Sequence, residues 1–153
     1  MKHNKAICYR IYPDEGQEAL IAKTFGCCRF VYNAMLSDKK ACYIETKKML
    51  KTTPAQYKEK FPFLKDVDSL ALCNEQLNLE AAYKNFFENE KSGFPNYKSK
   101  KRDKDSYSTN LVNGNIEIGD GYIKLPKLGI VKASIHRQAP EGYRLKRLFS
   151  MSK

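Results

Sequence analysis

Apolar residues recur with a helical period in roughly the first two thirds of the chain. Over 16–48 they return every three or four residues, which predicts a long helix with one apolar face. Asp14 followed by Gln17 predicts its start, because these side chains form a capping box. The preceding stretch, 5–12, alternates apolar and polar residues and predicts a half-buried strand.

Two further helices are predicted before residue 91. Thr53 followed by Pro54 is typical of a helix start and predicts a short helix that ends before residue 62. Asp68 is expected to cap a longer helix over 69–90, whose apolar stripe should face a core. Gly26 lies inside the first helix and either allows the close approach of another backbone or marks a kink, and we favour the close approach.

The period changes from about 3.6 to 2 after residue 105. Alternation over 107–111 predicts a strand, and Asn113–Gly114 predicts a two-residue hairpin turn leading into a return strand at 116–118. Shorter alternating runs follow at 123–125 and 131–135, and a last candidate strand spans 143–147.

The predicted fold class is therefore α+β, with a small antiparallel β-barrel of OB-like shape interrupted by an inserted helical bundle. We expect the first barrel strand within 1–13, the helical insertion over 14–91, a basic joint over 92–105, and the remaining strands over 106–153.

Positive charge is concentrated in particular segments. The chain has 153 residues and a net charge of +11, yet segment 13–90 carries −1, whereas 91–104 carries +5 and 124–153 carries +7. Such a distribution favours a polyanionic partner. The candidate residues of the joint combine phosphate-binding cations with an aromatic that can stack on a base, and they are Tyr97, Lys98, Lys100, Lys101 and Arg102. Arg29 and Asn33 either contact phosphate or form a surface pair.

Catalytic motifs are absent from the sequence. His3 and His136 belong to neither an H-x-H pair nor an H-E-x-x-H motif, and no P-loop or nucleophile elbow is present. The five cysteines form no C-x-x-C pair and are expected to be reduced thiols of a cytoplasmic protein. No apolar run is long enough to cross a membrane, so no membrane partner is expected.

Three stretches together resemble the N-terminal part of TnpB proteins, the OrfB-type proteins of insertion sequences, which are compact relatives of type V CRISPR nucleases. They are YRIYPDEGQEALIAKTFGCCRFVYN at 9–33, LEAAYKNFFENEKSGFPNYKSKK at 79–101 and NIEIGDGYIKLPKLGIVK at 115–132. These blocks occur in the family's order, and from the first to the last they span nearly the whole chain, residues 9–132.

The resemblance implies a barrel-like wedge domain interrupted by a helical recognition domain. It also implies two partners, a guide RNA from the transposon end and a double-stranded DNA target with a flanking motif. The family cuts DNA with three RuvC carboxylates and Mg²⁺. No RuvC segment occurs in this sequence, so we expect binding without cleavage and no cofactor in this chain.

The resemblance also carries over individual positions. Ser69, Leu70 and Cys73 fall where family members approach the flanking-motif duplex. Basic positions of the strand-rich part match the family's nucleic-acid-binding half or extend its basic run, and they are Lys124, Lys127, Lys132 and Arg137. Two alternatives stay open: a small basic RNA-binding module unrelated to transposition, and a transposase that nicks single strands with a tyrosine and a histidine-bound metal.

Overall fold

The computed structural model of the chain describes residues 3–139, 141 and 147–151, the last five as backbone only. Its helices are α1 (Glu15–Thr46), α2 (Pro54–Lys60) and α3 (Ser69–Glu88), with a 3₁₀ segment at Pro62–Asp66. Its strands are β1 (Arg10–Tyr12), β2 (Ser106–Asn110), β3 (Glu117–Ile118), β4 (Tyr122–Leu125), β5 (Gly129–Ser134) and β6 (Arg147–Met151). The α+β class is confirmed.

The capping box predicted at the start of α1 is present. The Asp14 carboxylate accepts from the Gln17 backbone N–H at 2.8 Å, and the Gln17 side chain accepts from the Asp14 N–H at 3.0 Å. The Gln17 amide also donates to the backbone carbonyl of Ile130 at 2.8 Å. This one side chain therefore both starts α1 and fixes it to β5.

The expectation for Gly26 is wrong. A Cβ built on Gly26 would meet only the Arg29 Nη2 atom, at 3.9 Å, so no neighbouring backbone requires a glycine there. Helix α1 runs through this position without a break and ends at Lys47, whose φ of 59° is left-handed.

The main core lies between α1, α2, α3 and β2. Asp68 caps α3 by accepting from the Leu70 N–H at 3.0 Å. The large side chains with no solvent exposure in this core come from α1, α3 and the 3₁₀ segment with the residue after it, and they are Val31, Met35, Leu36, Leu64, Val67, Leu72 and Leu79. A second core lies under the sheet and consists of Ile116, Ile123, Leu125, Leu128, Val131 and Ala133. Leu20 and Ile21 of α1 pack against both cores.

The strands of the described residues form two separate antiparallel sheets, and these residues do not close a barrel. The larger sheet has the order β1-β5-β4-β3, and the smaller pairs β2 with β6. The larger sheet is open because its edge strands, β1 with three residues and β3 with two, do not pair with each other. Strand β2 packs on the helices instead, since Tyr107 is buried in the main core. The helices are inserted between β1 and its partner β5.

The hairpin predicted at Asn113–Gly114 differs from the structure. Asn113 and Gly114 do adopt the positive φ values of 52° and 71° that the hairpin prediction required. The hairpin itself is wrong, because β2 pairs with β6 whereas β3 pairs with β4. The turn connects the two sheets, since Tyr107 before it belongs to the main core and Ile116 after it to the second.

The first strand is shorter than predicted and begins only at Arg10, since its pairing with β5 runs from Arg10 opposite Ser134 to Tyr12 opposite Lys132. In the last predicted strand, Tyr143 and Leu145 lie outside the described residues. The domain boundaries proposed from the sequence stay a prediction.

Candidate nucleic-acid interface

The basic joint, residues 92–105, runs back along α1 and α3 after α3 has ended. Near its start, Phe94 packs edge-on against Tyr83 and Phe86 of α3, with ring centroids 5.5 and 5.2 Å apart. Further along, the Asn33 side chain of α1 donates to the Lys98 carbonyl at 3.0 Å and accepts from the Lys98 N–H at 2.7 Å. The joint is thus fixed to the helices at both places.

Lys98 points into the protein. Its ammonium group lies 2.8 Å from a carboxylate oxygen of Glu75, whose side chain is only 3% exposed. The same ammonium group lies 4.5 Å from the ring centroid of Tyr32. Burial, followed by the nearby Glu75 charge, raises the pKa of the Tyr32 hydroxyl. Lys98 therefore neutralises a buried carboxylate and does not present its charge freely to solvent.

Arg29 also has a protein partner, because it forms an ion pair with Asp105 at the end of the joint. Asn33 thus holds the joint against α1 at Lys98, and Arg29 holds it against α1 at Asp105. A phosphate contact by either of them stays a prediction, and it would compete with these contacts.

A tight turn presents the remaining cations. The Asp103 carboxylate accepts from the Ser99 N–H at 2.7 Å, and the Asp103 N–H donates to the Ser99 carbonyl at 2.9 Å. The Arg102 guanidinium donates to the Tyr97 carbonyl. Lys100, Lys101 and Lys104 are exposed, and no ion pair or hydrogen bond of the described residues involves their ammonium groups.

An aromatic surface continues from the joint toward the C-terminal end of α1. The Lys40 ammonium group lies 4.6 Å from the ring centroid of Tyr97 and 5.1 Å from that of Phe94. Tyr97 is 42% exposed, which leaves ring surface for another contact. A cleft of about 250 Å³ lies beside this surface and is lined by Lys40, Tyr43, Met49, Tyr83, Phe86, Phe87 and Phe94.

The candidates at the start of α3 lie on a different surface. Ser69 and Cys73 are exposed and Leu70 is half-buried. The Lys58 ammonium donates to the Ser69 hydroxyl at 2.8 Å. Glu75 faces the joint, because it contacts Lys98. Cys73 lies two residues before Glu75, about 200° around the helix, so Cys73 faces away from the joint.

The basic candidates of the strand-rich part are exposed. Lys124 and Lys132 lie on the solvent-facing side of the larger sheet, and Lys127 lies in the β4–β5 turn with a φ of 66°. Arg137 is exposed, and its carbonyl accepts from the Tyr9 hydroxyl. The structure thus places Lys124 and Lys132 together, apart from Ser69 and Cys73.

The register of this sheet reveals neighbours that the sequence analysis missed. Tyr12 lies opposite Lys132, and Lys132 lies opposite Tyr122. The alternating residues of each strand were visible in the sequence. The missing signal was the long-range pairing of β1 with β5, because no turn joins these two strands.

The described part of the chain contains neither a candidate metal site nor a candidate membrane span. No three His, Cys, Asp or Glu side chains there come close enough to hold a metal ion. No helix of that part is long and apolar enough to span a bilayer.

Burial raises the pKa of the Cys28 thiol, which keeps it protonated and unreactive at neutral pH.

Comparison with known proteins places the chain among the proteins of insertion sequences. Residues 1–48 match the family of helix-turn-helix domains found in IS605-type OrfB proteins. Over 111 residues, 67% of the chain, it is 33% identical to a Streptomyces pristinaespiralis protein that carries the provisional name RNA-guided DNA endonuclease. The chain corresponds to the N-terminal part of an OrfB/TnpB-type protein, and it spans 27% of the length of that relative.

The name of the matched domain does not describe its structure in this chain. Residues 10–46 form β1 followed by one continuous helix, α1, rather than two helices joined by a turn. A recognition helix entering the major groove after a short turn is therefore not available from α1. Any contact of this segment with nucleic acid would therefore use a geometry other than a helix-turn-helix.

Proposed function

We propose that this chain is the nucleic-acid-binding N-terminal portion of a TnpB-like protein, and that it binds a guide RNA together with the DNA target that the guide pairs with. The match to OrfB-type domains and the name of the relative support this proposal. In this proposal the chain binds without cutting, and base pairing by the guide supplies the sequence specificity.

The observation that carries the proposal is the fixed turn at residues 99–103. Its hydrogen bonds and the Asn33 contacts hold the backbone, while the lysines around it extend into solvent. Because the backbone is already held, less conformational freedom is lost on binding, so these lysines favour a polyanion more than the same charges on a flexible linker would. Tyr97 beside them offers a ring on which a base can stack.

The test is the salt dependence of binding. The triple variant Lys100→Ala, Lys101→Ala, Lys104→Ala should bind labelled duplex DNA and RNA more weakly. Each lost phosphate contact should reduce the slope of log affinity against log salt by about 0.9 on duplex DNA. The measurement is fluorescence anisotropy over a range of salt concentrations.

A matched control removes the same charge from the helical part. Lys60, Lys65 and Lys84 are exposed and lie away from the joint in sequence, so their replacement by alanine changes the net charge equally. Equal losses in the two triple variants would mean that only net charge matters and would contradict the assignment of the joint. Guide RNA from the transposon end, compared with a scrambled RNA of equal length, tests the finer assignment of the partner.

A further inference from the structure

The solvent-facing side of the larger sheet carries an ordered set of aromatic and basic side chains. Val131 and Ala133 of β5 point into the second core, so Lys132 and Ser134 point to solvent. By the strand register, Tyr12 and Tyr122 flank Lys132 on this outer side. The result is a row across three strands: Tyr12, Lys132, Tyr122.

This row is accessible. Tyr12 is 53% exposed, Lys132 is exposed, and Tyr122 is half-buried. Neighbouring strands lie about 4.8 Å apart, so the two tyrosines are separated by roughly 10 Å across the row. Because stacked bases rise by only about 3.4 Å each, the two rings would contact different bases of one strand.

Both tyrosines are held by neighbours on the same surface. The Tyr122 hydroxyl donates to Glu117 at 2.9 Å, and a Cβ on Gly119 would lie only 2.1 Å from the Tyr122 ring, so the ring lies directly on Gly119. The guanidinium carbon of Arg10 lies 5.8 Å from the centroid of the Tyr12 ring. These contacts restrict the rings before any ligand arrives.

The charge of this side also suits a polyanion. Arg10, Lys124 and Lys132 are exposed cations there, and the acidic Glu117 of β3 lies opposite Lys124 in the neighbouring row. A sheet side that combines exposed tyrosines with lysines matches the chemistry of single-stranded nucleic acid, whose bases stack and whose phosphates pair with cations.

We infer that this side of the sheet binds unpaired nucleotides, with Tyr12 and Tyr122 stacking on bases and Lys132 contacting the phosphate between them. The inference rests on the proposed function and adds to it a second surface, with a preference for single strands over duplex. The basic joint contacts phosphates of either form, whereas stacking needs bases that are not already paired.

The absence of tryptophan from the chain allows a direct test. The variant Tyr12→Trp has a single tryptophan, which can be excited selectively over the tyrosines, and stacking on a base quenches its emission. We expect oligothymidylate of about 12 nucleotides, within the usual site size, to quench it. A duplex of equal length should leave the emission nearly unchanged. Leu77→Trp, on the exposed side of α3, is the matched control and should not respond to either.

Substitutions give the second readout. Tyr12→Leu together with Tyr122→Leu should weaken oligothymidylate binding by roughly tenfold or more, because stacking contributes strongly per base. Duplex binding should hardly change. Tyr12→Phe with Tyr122→Phe keeps the rings and should restore single-strand binding, which separates lost stacking from a damaged sheet.

The outcomes separate this inference from the proposed function. Binding detected by anisotropy without quenching at position 12 would overturn the inference and leave the joint as the binding surface. Equal losses for single strands and duplex in the leucine variant would also overturn it. No binding of any nucleic acid would overturn both.

Discussion

The helical part and the larger sheet differ in how they use their residues. The helices bury long side chains and also pair their buried charge, as Glu75 with Lys98 shows. The sheet buries smaller side chains on one side and leaves Tyr12 and Lys132 exposed on the other. The segment 13–90 has a net charge of −1, whereas 124–153 has +7. We therefore expect stability to depend mainly on the helices, and the proposed binding of a polyanion to depend on the joint and the sheet.

The largest expected effect is on the helical core. Leu72→Ala removes a side chain with no solvent exposure from between α1 and α3, and it should lower the free energy of unfolding by about 3–5 kcal/mol. Leu125→Ala in the second core, under the larger sheet, should lower the free energy of unfolding by about 2–3 kcal/mol. A thin core relaxes more easily into the space that the lost side chain leaves. Chemical denaturation followed by circular dichroism measures both.

Hydrogen exchange sharpens this comparison. In the Leu125→Ala variant, amides of β4 and β5 should exchange faster while those of α1 and α3 stay protected, since the sheet can open locally. An equal loss of protection in helices and sheet would show that the two cores unfold as one unit.

The next effect separates two lysines of the joint. Lys98→Ala leaves Glu75 buried without its cation and should destabilise the protein by about 2–3 kcal/mol, below the full cost of breaking a buried pair because Lys98 is partly exposed. Lys100→Ala should change stability by less than about 0.5 kcal/mol. Thermal denaturation of the two variants measures the difference. Equal stability of the two variants would mean that the Glu75 pair contributes little.

Alkaline pH should also destabilise the main core, to which Tyr57 and Tyr107 belong. Burial raises the pKa of Tyr107 and of Tyr57 above the ordinary value of about 10. Below that value both the folded and the unfolded chain hold these protons, so the stabilisation is complete. As pH rises above about 10 the unfolded chain loses protons first, so stability falls.

Burial also raises the pKa of the Cys28 thiol, so its contribution to stability likewise falls with rising pH, beginning near about pH 8.5. Burial lowers the pKa of Lys39, whose contribution to stability therefore changes in the opposite direction. The test compares denaturation midpoints from neutral to alkaline pH. Tyr107→Phe should make the decline shallower, and an unchanged decline would contradict the role of this hydroxyl.

Local signals in the sequence predicted the helices well, but they could not predict which distant strands pair. Asp14 and Gln17 form their capping box because both partners lie within one turn of helix. Asn113–Gly114 has the turn conformation that its residues favour, yet its flanking strands pair elsewhere. Which strand pairs with which depends on where Tyr107 and Ile116 are buried, and this is decided only when the whole chain packs.

The candidate site shows the same division. Lys98 and Lys100 are indistinguishable in sequence, since both belong to one basic run. Only the fold brings Glu75 to Lys98 and leaves the Lys100 ammonium in solvent. Charge patterning therefore predicted a cationic region, and its binding role stays a prediction; it could not say which cations pair within the protein itself.

The smallest expected effect concerns Gly26 in the middle of α1. Since a Cβ there meets nothing closer than the Arg29 side chain at 3.9 Å, Gly26→Ala should fit without strain. It should raise the free energy of unfolding by about 0.5–1 kcal/mol, because alanine loses less backbone entropy than glycine in a helix. Chemical denaturation measures the gain, and Ala34→Gly, the reverse change at another position of α1, should lower stability. If Gly26→Ala instead left stability unchanged and weakened nucleic-acid binding, the open space over this glycine would be a place where the ligand backbone approaches α1.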